Sequence, residues 1–373
     1  MKFFPTPPRS LLLSTVCVAL LGALVATNPA CASTVKNTSK AKAKKAAAVD
    51  DQAEYVHFSQ WKDVNSFIQD MASKHGIPES TLTTWFDQAR YIETARQLMR
   101  PAPPSKPKNW KAYRSRFVEP HRIDAGVAFW NQYADVLDRA EKQYGVPAEI
   151  IVGLIGVETI YGKNTGNFRV MDTLTTLAFD YPDTPTREAR MQFFKSELEN
   201  FLLIVKDAGA DPFAFKGSYA GAIGLSQFMP SSIRQYAVDF DGDGQIDLSH
   251  SAADAIGSVA HYLAAHGWKR HLPTVFPATL SADDTQESVK TALSRGLQAT
   301  YSLGELKQFV TTSSSDAPTG IQYGLINLQN GDDATEYWLG TDNFYAITQY
   351  NRSYFYAMSV IDLGQVIKAA RLN

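Results

Sequence analysis

Residues 147–162, PAEIIVGLIGVETIYG, decide the fold of this chain, because they predict one buried helix with an acid near its end. Pro147 suits the first turn of a helix, where the N–H that proline lacks would have no partner anyway. Glu149 lies in the same turn, where the helix dipole favours a carboxylate. Gly162 suits the end of the helix. The second acid, Glu158, therefore lies near the end of an otherwise apolar helix.

Glu158 is a candidate catalytic group. On a helix its neighbours lie three and four positions away. They are Leu154, Ile155, Tyr161 and Gly162, and none of them is a Lys, Arg or His. Apolar surroundings disfavour the charged form of a carboxyl group, so we expect the pKa of Glu158 to rise. A general acid working near neutral pH needs a raised pKa of this kind. The alternatives are a solvated glutamate at a helix end, or one paired with a distant arginine.

The composition is that of a globular protein, with 373 residues of which 45% are hydrophobic and 20% are charged. This length is enough for about two or three modest domains. The formal net charge is −2, and nothing suggests a protein that binds nucleic acid over its surface. No run after residue 32 is long and apolar enough to span a bilayer.

Residues 1–32 have the features of a signal peptide. Lys2 and Arg9 supply positive charge, an apolar run covers 11–25, and Ala30-Cys31-Ala32 is a small-x-small cleavage signal. Both cysteines of the chain lie in this segment, so the mature protein would contain no thiol. That excludes cysteine catalysis and thiolate metal sites. We expect a soluble exported protein. The alternative is a lipid-bearing N-terminus at Cys31, although the preceding residues match such processing poorly.

The remaining chain is predicted to be mainly α with a small β region. Residues 33–52 are small, polar and rich in lysine, which indicates a disordered linker. Residues 53–100 are predicted to be helical, with helical apolar spacing from Trp61 to Met71 and a break at His75–Pro78. Further helices are predicted at Glu79–Met99, about 121–143, about 187–208, about 252–266 and 354–371. Short strands are predicted at Tyr323–Leu328, Glu336–Leu339 and Phe344–Gln349.

A second stretch of interest is GSYAGAIGLSQFMPSS, residues 217–232. Its glycines allow the backbone to approach a ligand or another helix closely. Ser218 and Gln227 supply hydrogen-bond donors and acceptors, and the aromatic residues supply flat apolar surface. Sugars need that mixture, because their hydroxyl groups are polar and their ring faces are apolar. The alternative is a tightly packed turn that has small residues only for close approach.

An acidic loop follows, DFDGDGQID at 239–247, which fits the first nine positions of an EF-hand calcium loop. Its candidate ligands are Asp239, Asp241, Asp243 and Gln245, the last through its carbonyl. The twelfth position should be Glu but is His250, a poor calcium ligand, so Asp254 is the alternative that would close a longer loop. Crowded acids repel one another without a cation, and we expect a structural Ca²⁺ here rather than a bare turn.

Taken together, these motifs resemble the lytic murein transglycosylase B family. The resemblance covers roughly 55–371. It is carried by Val157-Glu158-Thr159 with Tyr161-Gly162, Gly217–Ala222, Gln227–Ser232, the acidic loop, Asp254–Ala260, Asn343-Phe344-Tyr345 and Tyr350-Asn351. It implies a lysozyme-like catalytic core within an α+β fold. The chain would divide into a signal peptide (1–32), a linker (33–52), a helical region (53–140), the core (141–270), a small β-containing region (271–349) and a C-terminal segment returning to the core (350–373).

The resemblance also implies the activity and its residues. It implies cleavage of the β-1,4 bond between N-acetylmuramic acid and N-acetylglucosamine of peptidoglycan, in the periplasm. Glu158 matches the family's only catalytic acid, and the acidic loop with Asp254 matches its calcium site. The cleft positions match Ser218, Gln227, Tyr350, Asn351, Tyr356 and, less closely, Tyr113. The chain departs from the family at 182–190, where Arg190 is a candidate for the surviving cleft arginine. Cell-wall synthases are partners by family analogy alone.

Most glycosidases use two carboxylates, whereas the resemblance offers one. Our hypothesis is that Glu158 first donates a proton to the glycosidic oxygen and then, as a base, takes the proton of the same sugar's C6 hydroxyl. That hydroxyl closes a 1,6-anhydro ring, and no water is added. The rival hypotheses are a lysozyme-type hydrolase of peptidoglycan and a non-catalytic peptidoglycan-binding protein.

Overall fold

The computed structural model of this protein describes residues 53–54, 57–101, 107–281, 286–312 and 317–372. The predicted signal peptide with Cys31 and the predicted linker at 33–52 lie outside the described residues. Over the described part of the chain, no helix combines the length and apolar character needed to cross a membrane.

Helices make up most of the described chain. They are α1 (Lys62–His75), α2 (Glu79–Gln88), α3 (Glu93–Leu98), α4 (Trp110–Arg114), α5 (Pro120–Gln132), α6 (Ala134–Tyr144), α7 (Ala148–Thr159), α8 (Val170–Phe179), α9 (Arg187–Ala208), α10 (Pro230–Tyr236), α11 (Ala252–Ala265), α12 (Gln286–Ser294), α13 (Leu303–Leu306), α14 (Asp342–Tyr350) and α15 (Tyr354–Leu372). The strands are β1 (Ala53–Glu54), β2 (Tyr91–Ile92), β3 (Phe168–Arg169), β4 (Lys216–Gly217), β5 (Val275–Leu280), β6 (Tyr301–Ser302), β7 (Val310–Thr312), β8 (Gln322–Asn330) and β9 (Asp333–Gly340). The predicted fold class, mainly α with a small β region, is confirmed.

Helix α7 lies at the centre of the largest core. Every residue of α7 is buried except Glu149 and Glu158. A helix that is apolar all round belongs in the interior, and α7 packs against α5, α6, α11 and α15. The predicted buried helix is therefore confirmed, and the two acids of its sequence are the two residues of α7 that are not fully buried.

Glycines allow α7 and α15 to touch backbone to backbone. A Cβ on Gly153 would lie 2.2 Å from the Val360 carbonyl oxygen. A Cβ on Gly364 would lie 2.1 Å from the carbonyl oxygen of Glu149. Real Cβ atoms do not approach this closely, so any larger residue at either position would push the helices apart. These two glycines fix how α15 lies along α7.

Two further clusters complete the interior. Buried residues of α1, α2, α8 and α9 form one of them. The other lies under a five-stranded antiparallel sheet of order β6-β8-β9-β5-β7. The predicted strands Tyr323–Leu328 and Glu336–Leu339 are confirmed as parts of β8 and β9, which form a hairpin. The helices predicted at about 187–208 and 252–266 are confirmed as α9 and α11.

The strand predicted at Phe344–Gln349 is wrong, because these residues lie in α14. Thr341 begins this helix, and its hydroxyl accepts a hydrogen bond from Asn343 N at 3.2 Å. The run from Asn343 to Thr348 is buried on all sides. A short apolar run of this kind does not distinguish a buried strand from a buried helix.

Two long helices of the prediction are interrupted. The helix predicted at 121–143 breaks at Tyr133 (φ −114°, ψ 25°), because α5 packs against α15 whereas α6 packs against α11. The helix predicted at Glu79–Met99 stops at Gln88. The extended residues that follow are held by α8, since Arg90 N donates to Asp172 and Ile92 N donates to Thr176.

Candidate active site

The end of α7 is an unusual turn that presents Glu158. The helix ends at Thr159, and the left-handed residues that follow are Ile160 (φ 53°), Tyr161 (φ 56°) and Gly162 (φ 86°). The prediction that Gly162 ends the helix is therefore wrong by two residues, and Pro147 precedes the first turn rather than lying in it. A β-branched residue in the left-handed region is strained and persists only where its surroundings impose it.

Thr159 ties this turn to the loop at 217–229. Its buried hydroxyl donates to the Leu225 carbonyl oxygen at 2.9 Å and accepts from Gly162 N at 3.1 Å. The helix end and the loop are thereby held against each other. Sequence reasoning missed this role, and the available signal was a polar residue beside Glu158 at the end of an apolar helix.

Glu158 is half-buried, and its Oε1 accepts a hydrogen bond from the Tyr356 hydroxyl. Burial raises the pKa of Glu158 to about 7 from an ordinary value of 4.5, although the Tyr356 hydrogen bond opposes this rise. None of the ion pairs among the described residues includes Glu158. The expected raised pKa is therefore present, and neither alternative, a solvated acid or one paired with arginine, fits the structure.

Three tyrosines from separate elements surround this carboxyl group: Tyr113 on α4, Tyr350 at the end of α14 and Tyr356 on α15. Burial, followed by the nearby Glu158 charge, raises the pKa of Tyr113 to about 12. The same two causes raise the pKa values of Tyr350 and Tyr356 well above the usual range. All three hydroxyls therefore stay protonated near neutral pH, and Tyr356 uses its proton in the hydrogen bond to Glu158.

The loop at 217–229 forms another side of the site. Tyr350 donates to the Ser226 carbonyl oxygen at 2.6 Å, which places Tyr350 beside Gln227. Gln227 is itself left-handed (φ 51°), and its Nε2 donates to the Thr165 and Gly224 carbonyl oxygens. Its side-chain oxygen has no described partner within the protein.

Two predicted cleft residues, Ser218 and Asn351, are not linked to Glu158 by the described contacts. The Ser218 hydroxyl accepts from Ala220 N and Ala222 N, at 3.3 and 3.0 Å, and so stabilises its own turn. Asn351 is half-buried and ends α14. Among the contacts of the described residues, none joins Ser218 or Asn351 to Glu158. Arg190, the candidate cleft arginine, is buried against the rings of Tyr181, Phe193 and Phe194.

The acidic loop brings three carboxylates together. Oxygen atoms of Asp239, Asp241 and Asp254 all lie within 4.8 Å of one another. Asp254 is buried, and it accepts hydrogen bonds from Phe240 N and Asp247 N, at 2.7 and 2.8 Å. His250 instead contacts Asp247, at 2.9 Å. Asp254 rather than His250 therefore joins the first acids of the loop. Hard oxygen donors in this arrangement fit Ca²⁺.

Comparison with known proteins identifies the family. The sequence pattern of the transglycosylase SLT domain matches residues 58–365. The chain is also 42% identical over 324 residues to the membrane-bound lytic murein transglycosylase B of Escherichia coli, which covers 85% of each chain. The chain belongs to the lytic murein transglycosylase B family. It is therefore an enzyme, a lyase that acts on peptidoglycan, and this membership argues against a non-catalytic binding protein.

Solved structures agree with this transglycosylase in fold. The Escherichia coli lytic transglycosylase Slt35 in complex with calcium is 40% identical, with a TM-score of 0.75, over 87% of this chain and 98% of that one. SltB3 of Pseudomonas aeruginosa in complex with NAG-anhNAM-pentapeptide is 31% identical, with a TM-score of 0.69, over 83% of this chain and 79% of that one. The transglycosylase fold expected from the motifs is thus confirmed.

Proposed function

We propose that this transglycosylase cleaves the β-1,4 bond between N-acetylmuramic acid and N-acetylglucosamine with Glu158 alone and leaves a 1,6-anhydromuramic acid end. The observation that carries the proposal is the composition of the site. Glu158 has a raised pKa and tyrosine neighbours, and no second carboxylate is among its described hydrogen-bond or electrostatic partners. Two-carboxylate glycosidases hold the second group within about 10 Å, as nucleophile or as the base that activates water.

The proposed reaction has two steps. Protonated Glu158 donates to the glycosidic oxygen, the bond from C1 to that oxygen breaks, and its electron pair leaves with the oxygen. The muramic acetamido oxygen stabilises the cation at C1. The C6 hydroxyl oxygen then attacks C1, and its proton returns to Glu158. The acid is regenerated and no water is consumed.

The residues around Glu158 are assigned positioning and binding roles in this proposal. Tyr356 donates to Glu158 and holds the carboxyl group in one orientation. Tyr350, Asn351 and Gln227 orient the sugar, and Ser218 and Tyr113 line the cleft. The solved SltB3 complex contains an anhydro sugar, which supports the proposed product in this chain.

Product mass distinguishes this mechanism from hydrolysis. We expect purified cell walls digested by this enzyme to release fragments with anhydro ends, each lighter by one water than a reducing end. Mass spectrometry of the soluble fragments measures the difference directly. A majority of reducing ends, formed without further treatment of the digest, would instead establish a lysozyme-type hydrolase.

Activity and stability should both respond to the pKa of Glu158. The first step needs the protonated acid, so we expect activity to fall as pH rises through about 7.

The folded protein holds a proton on Glu158 that the unfolded chain releases near pH 4.5. The contribution of this group to the free energy of unfolding is therefore greatest below pH 4.5. That contribution, on the order of 3 kcal/mol, is lost as pH rises through the folded pKa. Thermal unfolding between pH 4 and 8 should show a decline that Glu158→Gln removes. Identical pH profiles for both proteins would contradict the raised pKa.

We also propose that the acidic loop holds a structural Ca²⁺. Asp239, Asp241 and Asp254 would provide carboxylate oxygens, with Asp243 and the Gln245 carbonyl as further ligands. Three carboxylates this close repel one another without a cation, so binding would stabilise the loop and the start of α11.

Calcium should therefore raise the melting temperature. Saturation at 100 times the dissociation constant stabilises a protein by about 2.7 kcal/mol. We expect the increase with Ca²⁺ over chelator to be lost in Asp241→Asn, because this residue belongs to the carboxylate group. The control His250→Ala should keep the full increase, since His250 contacts Asp247 instead. An unchanged melting temperature in the original protein would refute the site.

Export to the periplasm remains a prediction from residues 1–32, and lipidation at Cys31 remains the alternative to a soluble exported protein. The relative from Escherichia coli is membrane-bound by its name, which supports an envelope location. Glycan strands are the proposed substrate, and association with cell-wall synthases remains a prediction from family analogy.

A further inference from the structure

Tyr113 lies on α4, a helix of five residues, and is near enough to Glu158 to interact with its charge. Its ring lies against Phe355 of α15, with centroids 5.4 Å apart, and stacks on Trp110 at 6.4 Å. A helix this short has little stability of its own. The position of Tyr113 therefore depends on what holds α4 in place.

The turn of the β8–β9 hairpin, residues 330–333, contacts the start of α4 through its backbone and side chains. Asn330 Oδ1 accepts from Lys111 N at 3.0 Å. Gly331 N donates to the Lys108 carbonyl oxygen at 2.8 Å. From the other side, Asn109 Nδ2 donates to the Asn330 carbonyl oxygen at 3.4 Å, while Asn109 Oδ1 accepts from Ala112 N and begins the helix.

Asn330 is only 2% exposed, and both the oxygen and the nitrogen of its side-chain amide form hydrogen bonds. Its Nδ2 donates to the Ala334 carbonyl oxygen and to Glu336 Oε1, both at 3.2 Å. A buried amide with every donor and acceptor satisfied is held in one orientation. The neighbouring ion pair of Lys111 and Asp333 is mostly exposed, and such pairs contribute little. Asn330 therefore links the hairpin to the start of α4 through two hydrogen bonds, one to its side chain and one to its carbonyl oxygen.

We propose that the β8–β9 hairpin positions the active site, with Asn330 as the residue that sets α4 and hence the Tyr113 ring beside Glu158. The small sheet would then contribute to catalysis without touching substrate. This inference rests on the proposed cleft role of Tyr113. Asn330 is a positioning residue, because it acts through α4.

A double-mutant cycle tests the inference, because residues acting through one another are not additive. We expect Asn330→Ala to lower kcat/KM on soluble glycan strands roughly tenfold, since small misplacements of a binding group are costly. In the Tyr113→Ala background, the same substitution should cause no further loss. Asn109→Ala, at an exposed position on the α4 side, should reproduce the loss and serves if Asn330→Ala fails to fold.

The control separates positioning from general weakening of the sheet. Val310→Ala removes buried apolar volume from the same sheet without touching α4. We expect it to lower the melting temperature but to leave kcat/KM within twofold. If Val310→Ala lowers activity as much as Asn330→Ala, or if the losses at Asn330 and Tyr113 simply add, the inference is overturned. Full activity in Tyr113→Ala would instead refute the cleft role of Tyr113 on which the inference rests.

Discussion

Glu158→Gln is expected to abolish peptidoglycan cleavage while the fold is retained. Glutamine has the shape of the protonated acid, and its amide oxygen can still accept from the Tyr356 hydroxyl. It cannot donate a proton to the glycosidic oxygen or take one from the C6 hydroxyl. Proton transfer by a positioned group contributes about 10²- to 10⁴-fold. Since Glu158 is assigned both transfers, we expect a loss at the upper end of this range, measured as the release of soluble fragments from purified cell walls.

Glu149→Gln is the matched control, since it makes the same change at the other end of α7. Glu149 forms an ion pair with Lys368 of α15 at 2.9 Å, and exposed pairs contribute about 1 kcal/mol or less. This variant should keep nearly full activity. Glu158→Gln should also be at least as stable as the original protein above pH 7, because it removes a buried charge. A folded Glu158→Gln enzyme with undiminished cleavage would show that another group carries the reaction.

The acid of the site was predictable from sequence because it depends on local pattern. An apolar helix with one unpaired carboxyl group near its end already indicates burial and a raised pKa. Long helices with strong apolar spacing, such as α9 and α11, were predictable for the same reason. The motif at 217–232 indicated a polar loop, but the hydrogen bonds of Ser218 and Gln227 depend on its folded turns.

What lay beyond sequence reasoning depends on tertiary contacts. The Phe344–Gln349 run has no period that separates a strand from a buried helix, although its folded form is a helix that Thr341 caps. The bond from Thr159 to the Leu225 carbonyl oxygen joins residues far apart in the chain. Asn330 belongs to no recognisable sequence motif. Its partner on α4 precedes it by more than two hundred residues, so local sequence could not reveal the contact. Family resemblance was the basis for predicting Tyr350 and Tyr356 as cleft residues, whereas their own sequence context indicated little.

The second large effect is expected from Gly153→Ala, which adds one methyl group where α7 meets α15. The new Cβ would lie 2.2 Å from the Val360 carbonyl oxygen, and a backbone atom cannot rotate away as a side chain can. The helices must therefore separate or shift along each other. Overpacking of this kind typically costs about 1–3 kcal/mol, although alanine otherwise favours a helix more than glycine does.

The consequence should reach catalysis, because α15 carries Tyr356 one helical turn before Val360. A shift of α15 would move the tyrosine hydroxyl that orients Glu158, so we expect Gly153→Ala to lower both the melting temperature and the rate of cleavage. Gly304→Ala is the control, since the nearest atom to its new Cβ, apart from its immediate neighbours, is Ser302 Oγ at 4.0 Å. This control should leave stability and activity unchanged or improve stability slightly. If Gly153→Ala lost stability but kept full activity, the orientation of Glu158 would not depend on how α15 is seated on α7. An unchanged melting temperature would mean that α7 and α15 can accept a methyl group at Gly153 without moving apart.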